Sequence, residues 1–259
     1  MLNYKIIKLL FFIIVLLAHI CYVSFEFSYY YILIIPILYI GIIAWGSSTI
    51  RANFFMNSIC SANILEKKIA LTFDDGPDLL KTPAILDFLG EKNIKVTFFV
   101  IGKKIKGAEY LIERIVKEGH IIANHSHSHS YFFDFFTTKR IISDLDEATK
   151  TIATITGNSP NWFRPPYGVT NPTISRAIEV LKLTSIGWDV RSLDTVIKDS
   201  NKLYQRVIKR IKPGSILLFH DTGVSTLELL KEVILFAQNN GYEIIGLDDL
   251  LSIKPYEEV

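Results

Sequence analysis

The first 50 residues carry very few charges, and this feature constrains the fold more than any other in the sequence. Only Lys5, Lys8 and Glu26 are charged there, whereas the remaining 209 residues carry 51 of the 54 charged side chains. A helix that crosses a bilayer needs about 20 mostly apolar residues, and residues 6–25 and 27–45 are both long enough. We therefore predict a membrane-anchoring transmembrane helical hairpin over residues 1–50, with its turn at residues 24–28.

Two other interpretations of this segment stay open. One is a single span followed by an interfacial helix. The other is a cleaved signal peptide, although no convincing small-residue cleavage site precedes the second apolar stretch. Lys5, Lys8 and Arg51 flank the hairpin, while its turn holds only Glu26. The positive-inside rule thus favours the cytoplasmic face for the domain that follows, on the evidence of only a few charges.

The rest of the chain has the composition of an ordinary globular domain. Residues 51–66 are predicted to be a polar linker, and residues 67–259 are long enough to enclose a sizeable core. The net charge of +2 gives no reason to expect nucleic acid as a partner. Short strand-like runs alternate with helix-period segments six or seven times, which is typical of βαβ units around a parallel sheet. We predict an α/β domain with a barrel or barrel-like sheet.

Polar side chains follow five of the predicted strands. In β/α barrels the active site lies at the carboxyl ends of the strands, so we expect these side chains to meet at one end of the sheet. The residues concerned are Asp74 and Asp75, His125 and His129, Arg164 to Tyr167, Asp189 and Asp194, and His220 and Asp221.

Two of these clusters indicate metal chemistry. His125 and His129 are four residues apart, and on a helical turn they would share one face. Two imidazoles and a carboxylate suit a divalent metal and leave positions open. Adjacent Asp74 and Asp75 both stay ionised only near a cation, which suggests one metal ligand and one proton acceptor. A His-rich surface tract and a simple Asp-Asp-Gly-Pro turn are the alternatives.

Four motifs, in order and at matching spacing, resemble those of the polysaccharide deacetylases, the NodB-homology carbohydrate esterases. The resemblance extends from about residue 67 to residue 250. It implies a distorted (β/α) barrel of about seven strands and a metal-dependent hydrolase that removes N-acetyl or similar groups from amino sugars of peptidoglycan or chitin-like polymers. The motifs are Thr72-Phe73-Asp74-Asp75-Gly76-Pro77, His125-Ser126-x-x-His129, Arg164-Pro165-Pro166-Tyr167-Gly168 and Leu218-Phe219-His220.

The resemblance also implies a role for each matching residue. Asp74 would be the general base, held in place by Arg164. His220 would protonate the leaving amine under the influence of Asp194, and the backbone N–H of Tyr167 would help to stabilise the oxyanion. The metal would most often be zinc, with cobalt, nickel or manganese as alternatives. Its implied ligands are Asp75, His125 and His129.

One motif departs from the family pattern. The usual form is Asp-x-x-Asp-Trp, but Arg191 replaces the first aspartate and Thr195 replaces the tryptophan, while Asp194 is kept. Arg191 could bind a phosphate or carboxylate of the substrate, or it could be an ordinary solvated arginine. The aromatic run at residues 131–136 could pack in the core or form a hydrophobic lip for a lipid-linked sugar or a membrane.

Two further functions stay open beside the polymer deacetylase. The enzyme could deacetylate or deformylate a lipid-linked sugar at the cytoplasmic leaflet, which would agree with the charge-derived topology. Alternatively, the changes at Arg191 and Thr195 could mark an inactive carbohydrate-binding protein on the same fold.

Overall fold

The computed structural model describes residues 3–25 and 30–257, and two apolar helices, α1 (Tyr4–Phe25) and α2 (Tyr30–Ser48), come first. Within those described residues, Tyr4–Ser24 is the stretch with the length and composition of a membrane span, and Leu33–Ser48 is a shorter apolar stretch. One such helix fits an anchor or a signal sequence equally well. The predicted turn at residues 24–28 lies largely outside the described residues.

The two helices pack on each other and are attached to the domain at one end. The ring of Phe11 stacks on that of Tyr39 at 4.2 Å. The backbone N–H of Thr170 donates to the carbonyl of Ser47 at 3.0 Å. The ring of Phe54 fills the space over Gly46, where a Cβ atom would lie 2.3 Å from it. The end of α2 is therefore fixed to the domain by packing and by backbone hydrogen bonds.

A parallel sheet forms the centre of the domain. Nine strands are found among the described residues, and all their pairings within the sheet are parallel. In chain order the strands are β1 (Ser58–Ile59), β2 (Lys68–Gly76), β3 (Thr97–Val100), β4 (Ile121–Asn124), β5 (Trp162–Phe163), β6 (Thr184–Ile186), β7 (Val190–Arg191), β8 (Ile216–His220) and β9 (Glu243–Ile244).

The order of the strands is β1-β6-β5-β4-β3-β2-β8-β7, with β9 also paired to β2. No pairing joins β1 to β7 within the described parts of the chain, so the sheet is an open, curled half-barrel. The predicted α/β class and parallel sheet are confirmed. The predicted count of about seven strands is too low, because two-residue strands such as β1 and β7 carry no periodicity. Since β1 pairs with β6, the segment predicted as a linker contributes to the sheet.

Helices cover the sheet and end where the sequence provides caps. At the start of α6, Thr137 accepts a hydrogen bond from the N–H of Arg140, and the helix ends at Gly157, whose φ is 72°. The eight helices of the domain that the structure describes are α3 (Lys81–Glu91), α4 (Gly102–Ile105), α5 (Glu109–Lys117), α6 (Thr138–Thr156), α7 (Pro172–Val180), α8 (Ser200–Ile208), α9 (Thr226–Asn239) and α10 (Leu247–Leu251).

The alternation of side chains along β2 divides its residues between two environments. Leu71 and Phe73 point to the helix-covered face, where the rings of Phe98 and Phe219 stack on Phe73 at 5.2 and 5.6 Å. The intervening residues of a strand point to the opposite face. Thr72 therefore lies on the inner face of the curl, and so does Asp74 at the carboxyl end of the strand.

Candidate active site

The pairing of the central strands brings the first and last predicted motifs together. Asp74 of β2 lies opposite His220 of β8 in the register of the two strands. The pairing of β2 with β3 shifts register between Asp74 and Gly76, and Asp75 has a positive φ of 76°. Because of this irregularity the adjacent carboxylates both approach one imidazole, that of His125, at 3.8 Å for Asp74 and 3.5 Å for Asp75.

The three predicted metal ligands form one cluster. Oδ1 of Asp75 lies 3.5 Å from Nε2 of His125 and 3.2 Å from Nε2 of His129, and one ligand atom from each residue lies within 4.8 Å of the others. Nδ1 of His125 is 2.9 Å from the carbonyl of Arg164, so it must donate, which leaves Nε2 free to bind a metal. One carboxylate and two imidazoles are a donor set that fits zinc, cobalt, nickel or manganese.

The protonation states of the cluster suit metal binding. Burial, followed by the charge of His125, lowers the pKa of His129 to about 4. Burial alone would raise the pKa of Asp75, but the hydrogen bond and charge of His125 outweigh it, and the pKa lies below its usual range. A neutral imidazole and an ionised carboxylate are the forms that bind a cation.

The local structure around the two histidines differs from the expectation of a helical turn. Residues 125–130 form no helix, and Ser126 and His129 both have positive φ. Asp144 of α6 holds this loop by accepting hydrogen bonds from the backbone N–H groups of His127 and Ser128. The prediction of a shared helical face was therefore wrong, although the loop brings the rings of His125 and His129 to 4.8 Å.

Arg164 is wholly buried and holds Asp74. Its Nη1 donates to Oδ1 of Asp74 at 2.6 Å and to the hydroxyl of Thr72 at 2.9 Å. Its Nε and Nη2 donate to the carbonyls of Ile186 and Gly187. The pairing occupies Oδ1 of Asp74, and Oδ2 is left on the side of the metal-ligand cluster, 3.8 Å from His125.

His220 is paired with Asp194. Nδ1 of His220 lies 2.6 Å from Oδ1 of Asp194, and Oδ2 of Asp194 accepts hydrogen bonds from the hydroxyl of Thr226 and the backbone N–H of His220. Burial alone would lower the pKa of His220, but the hydrogen bond and charge of Asp194 outweigh it and raise the pKa. The raised pKa favours the protonated imidazole, and Nε2 is the ring nitrogen that Asp194 does not engage.

Tyr167 lies at the mouth of the site in a left-handed backbone conformation, with φ of 61°. Its ring packs on that of His129 at 4.8 Å and lies parallel to that of Tyr131 at 6.1 Å. Such a conformation is uncommon for a residue with a side chain and is often found at functional sites. The role of its backbone N–H stays a prediction.

These residues line a cavity of about 180 Å³. Arg164 and Asp194 do not line the cavity themselves but contact residues that do. Two acidic residues of the predicted strand-end clusters, Asp189 and Asp221, lie outside the cavity. Asp189 accepts hydrogen bonds from the backbone N–H of Ile216 and the hydroxyl of Ser215, and buried Asp221 accepts one from Thr82. The residues around the cavity are Asp74, Asp75, His125, His129, Tyr167, Gly168, Trp188, Arg191, Thr195, Leu218 and His220.

Sequence reasoning missed the residues that support the pairs. Thr72 and Thr226 hydrogen-bond Arg164 and Asp194, but a threonine inside a strand or at the start of a helix carries no distinctive signal. Trp188 could have been found, because it ends a predicted strand beside the altered motif. Its indole fills the space over Gly168, where a Cβ atom would lie 2.5 Å away.

Comparison with known proteins agrees with the resemblance. Residues 62–186 match the family model described as polysaccharide deacetylase. The chain is 35% identical over 199 residues to the peptidoglycan-N-acetylmuramic acid deacetylase PdaA of Bacillus subtilis, with 74% of each chain covered. The chain belongs to the polysaccharide deacetylase family. This family of hydrolases also includes the peptidoglycan-N-acetylglucosamine deacetylase PgdA of Listeria monocytogenes, 32% identical over 188 residues, which cover 73% of this chain but only 40% of that relative.

Solved structures of family members share the fold. The Bc1960 peptidoglycan N-acetylglucosamine deacetylase has a TM-score of 0.72 at 27% identity, covering 77% of this chain and 95% of its own. A family 4 acetyl xylan esterase from Clostridium thermocellum, solved with a cobalt ion, has a TM-score of 0.66 at 32% identity, covering 71% and 90%. The family 4 pseudoenzyme BA3943 from Bacillus anthracis has a TM-score of 0.69 at 26% identity, covering 75% and 68%. The fold is thus common to active and inactive members, and activity depends on the residues of the site.

Proposed function

We propose that this member of the family is a membrane-anchored, divalent-metal-dependent hydrolase that removes N-acetyl groups from the amino sugars of peptidoglycan. The observation that carries the proposal is the arrangement around one cavity. Asp74, whose carboxylate is paired with the buried Arg164, lies opposite His220, whose imidazole is paired with the buried Asp194. A three-residue metal-ligand cluster lies beside them.

Each residue has a distinct part in the proposed hydrolysis. When held by Asp75, His125 and His129, a divalent ion would supply Lewis acidity toward the amide carbonyl. Oδ2 of Asp74 accepts the proton of the attacking water, while Arg164 keeps the carboxylate in position.

The second proton transfer belongs to the other side of the cavity. Nε2 of His220 donates its proton to the departing amine, and Asp194 stabilises the imidazolium and orients the ring. The backbone N–H of Tyr167 is the proposed donor to the developing oxyanion. The products are the free amine of the sugar and the carboxylic acid.

The proposed division of the chain places the membrane part at residues 1–50, the connection at 51–66 and the hydrolase domain at 67–259, with the connection also contributing strand β1 to the sheet of the domain. Most large apolar side chains of α1 and α2 are exposed, among them Leu9, Phe12 and Leu38. A soluble protein rarely exposes so much contiguous apolar surface. The exposure supports insertion of these helices into a membrane.

Exposed aromatic residues near the mouth of the cavity favour a second candidate, an amino sugar linked to a lipid. Tyr131, Phe132 and Phe135 are 86%, 69% and 80% exposed, whereas Phe133 and Phe136 are buried in the core. The aromatic run predicted as either core or lip therefore divides between the two. We call Tyr131, Phe132 and Phe135 the aromatic lip.

The aromatic lip lies close to the end of helix α2. Asn171 donates a hydrogen bond from its side chain to the carbonyl of Asp134, at 2.6 Å. The preceding residue, Thr170, accepts one from the hydroxyl of Ser47 in α2, at 2.7 Å. A domain attached in this way would hold its active site near the membrane surface, where it could reach a sugar linked to a lipid of the adjacent leaflet. The charge pattern predicts that this is the cytoplasmic leaflet.

An inactive carbohydrate-binding protein is the third candidate. Arg191 and Thr195 favour it, since both replace residues of the family pattern and both line the cavity. The complete base, acid and ligand set opposes it.

The experiment that tests the proposal is an amine-release assay on the full chain, purified in detergent or nanodiscs with zinc or cobalt. The substrates are peptidoglycan glycan strands and a lipid-linked N-acetyl amino sugar, and Asp74→Asn is the matched inactive control. Release from the glycan supports the first candidate, and release from the lipid-linked sugar alone supports the second. Metal binding without release from either would overturn both in favour of the inactive protein.

A further inference from the structure

Arg191 lies in the wall of the active-site cavity. It is the last residue of β7 and pairs with Leu218 of β8, two residues before His220. Its guanidinium carbon lies 5.6 Å from the centre of the Trp188 ring, and both side chains line the cavity together with Thr195. The cation is thus part of the space that receives the substrate.

The guanidinium of Arg191 has no anionic partner among the residues that the structure describes. Its Nε is buried and makes no hydrogen bond there. The acids of the site are already engaged, Asp74 by Arg164, Asp194 by His220, and Asp75 by the imidazoles of His125 and His129. Buried donors in folded proteins are nearly always paired, so the open donor of Arg191 indicates a group that arrives with a ligand.

The surroundings of Arg191 add to its positive charge. Nε of Arg206 donates to the backbone carbonyl of Arg191 at 3.3 Å. Burial, followed by the charges of Arg210 and Arg191, lowers the pKa of Arg206. Arg206 therefore lies behind Arg191 and adds a second positive charge near this side of the cavity, which favours an anionic ligand.

We infer that Arg191 binds a carboxylate of the substrate and makes the enzyme select N-acetylmuramic acid over N-acetylglucosamine. The inference rests on the proposed N-deacetylase function. Muramic acid carries a lactyl ether on the ring carbon next to the one that bears the N-acetyl group, so in a glycan strand without stem peptides the free lactyl carboxylate lies close to the reacting amide. Glucosamine has no charge at that position. The planar guanidinium matches a carboxylate with two parallel hydrogen bonds.

Thr195 fits the same assignment. It lies on the same wall of the cavity, at the position where the family pattern has tryptophan. A threonine is much smaller than an indole, and this leaves room for the lactyl substituent beside Arg191. The two departures from the family pattern would then have one common purpose.

The test compares two oligosaccharides in two backgrounds of the full chain. Binding is measured by calorimetry in the Asp74→Asn background, where no turnover obscures it, and amine release is measured in the otherwise unaltered enzyme. The ligands are a glycan oligomer that contains N-acetylmuramic acid and an oligomer of N-acetylglucosamine. The variants are Arg191→Gln, Arg191→Lys and, as a control of equal charge change, Arg210→Gln in the exposed turn that follows α8.

Arg191→Gln is expected to weaken binding and kcat/KM for the muramic acid oligomer by about tenfold to a hundredfold, the size of a lost charge-assisted pair. For the glucosamine oligomer the change should stay below about threefold, and Arg191→Lys should recover part of the loss. Arg210→Gln should leave both unchanged. If the variants showed these differences in binding but no amine were released from either oligomer, the carboxylate subsite would be supported and the proposed N-deacetylase function would be wrong.

Three outcomes would overturn the inference. Equal losses for both oligomers would make Arg191 a structural residue, and no loss for either would make it irrelevant to the substrate. A loss confined to a lipid-diphosphate-linked N-acetylglucosamine, tested as a third ligand, would identify a phosphate site instead of a carboxylate site.

Discussion

The two walls of the active-site cavity differ in how their polar groups are paired. On one wall, which we call the reaction wall, Asp74 and His220 each have a buried partner in Arg164 and Asp194. On the other, which we call the recognition wall, Arg191 has none among the described residues. The groups that move protons are therefore held in position before a substrate arrives, whereas the group that we assign to recognition is left open for it.

The reaction wall should fail completely when its proposed base is neutralised. Asp74→Asn keeps the shape of the side chain but cannot accept the proton of water, so amine release should fall by at least about a thousandfold. Metal content should be nearly unchanged, because the proposed ligands remain. The matched variant Asp75→Asn should instead lose the metal, as measured by elemental analysis. If both variants lost the metal equally, the assigned division between the two aspartates would be wrong.

The same wall should also depend on its buried ion pair for stability. Arg164→Met leaves the charge of Asp74 buried without a partner, which should lower the free energy of unfolding by about 3–5 kcal/mol. Chemical denaturation of the full chain measures this value. Arg114→Met is the control, because Arg114 is paired at the surface with Asp87 and Glu118 and should cost less than about 1 kcal/mol. Equal costs would mean that burial of the pair has no special importance.

Asp194 should matter through the proton that His220 carries. Since the charge and hydrogen bond of Asp194 raise the pKa of His220, the protonated acid is present below that pKa and is lost as the pH rises through it. Asp194→Asn lowers the pKa, so the alkaline limb of the pH–rate profile should move to lower pH. kcat should also fall by about a hundredfold.

The control for this shift is Asp189→Asn, which alters another buried aspartate that lies outside the cavity and is bonded to Ser215. Its pH–rate profile should match that of the unaltered enzyme. An unchanged alkaline limb in Asp194→Asn would show that His220 is not the acid.

The sequence predicted the reaction wall better than the recognition wall, and the reason is physical. Asp74, His125 and His220 follow strands whose apolar runs are easy to find, and parallel strands bring their carboxyl ends together. The sequence gives no comparable signal for β7, which has two residues, so the position of Arg191 in the cavity needed the structure. Two predictions were wrong: the number of strands was too low, and no helical turn forms at His129. Very short strands and loops with positive φ have no periodicity in the sequence by which they could be recognised.

The aromatic lip should give the smallest effect, and it tests whether the recognition wall opens toward a membrane. Phe135→Ser should change the free energy of unfolding by less than about 0.5 kcal/mol, because the ring is exposed. It should reduce amine release several-fold from a lipid-linked sugar in vesicles and leave release from a soluble oligomer in detergent unchanged.

The matched control is Phe133→Ala, which removes a buried ring of the same loop and should cost about 3–5 kcal/mol. If Phe135→Ser behaved like the unaltered enzyme in vesicles, the aromatic lip would have no part in the reaction with a lipid-linked sugar.

In the mechanism that we propose, the reaction wall hydrolyses an amide with the help of a metal held by Asp75, His125 and His129. The sharpest test removes the metal from the full chain with a chelator and then returns zinc or cobalt in stoichiometric amounts. Amine release from glycan strands is measured at each stage. We expect one metal ion per chain, loss of amine release on its removal and recovery on its return, with neither binding nor recovery in His125→Ala. Amine release that persisted after complete removal of the metal would contradict it.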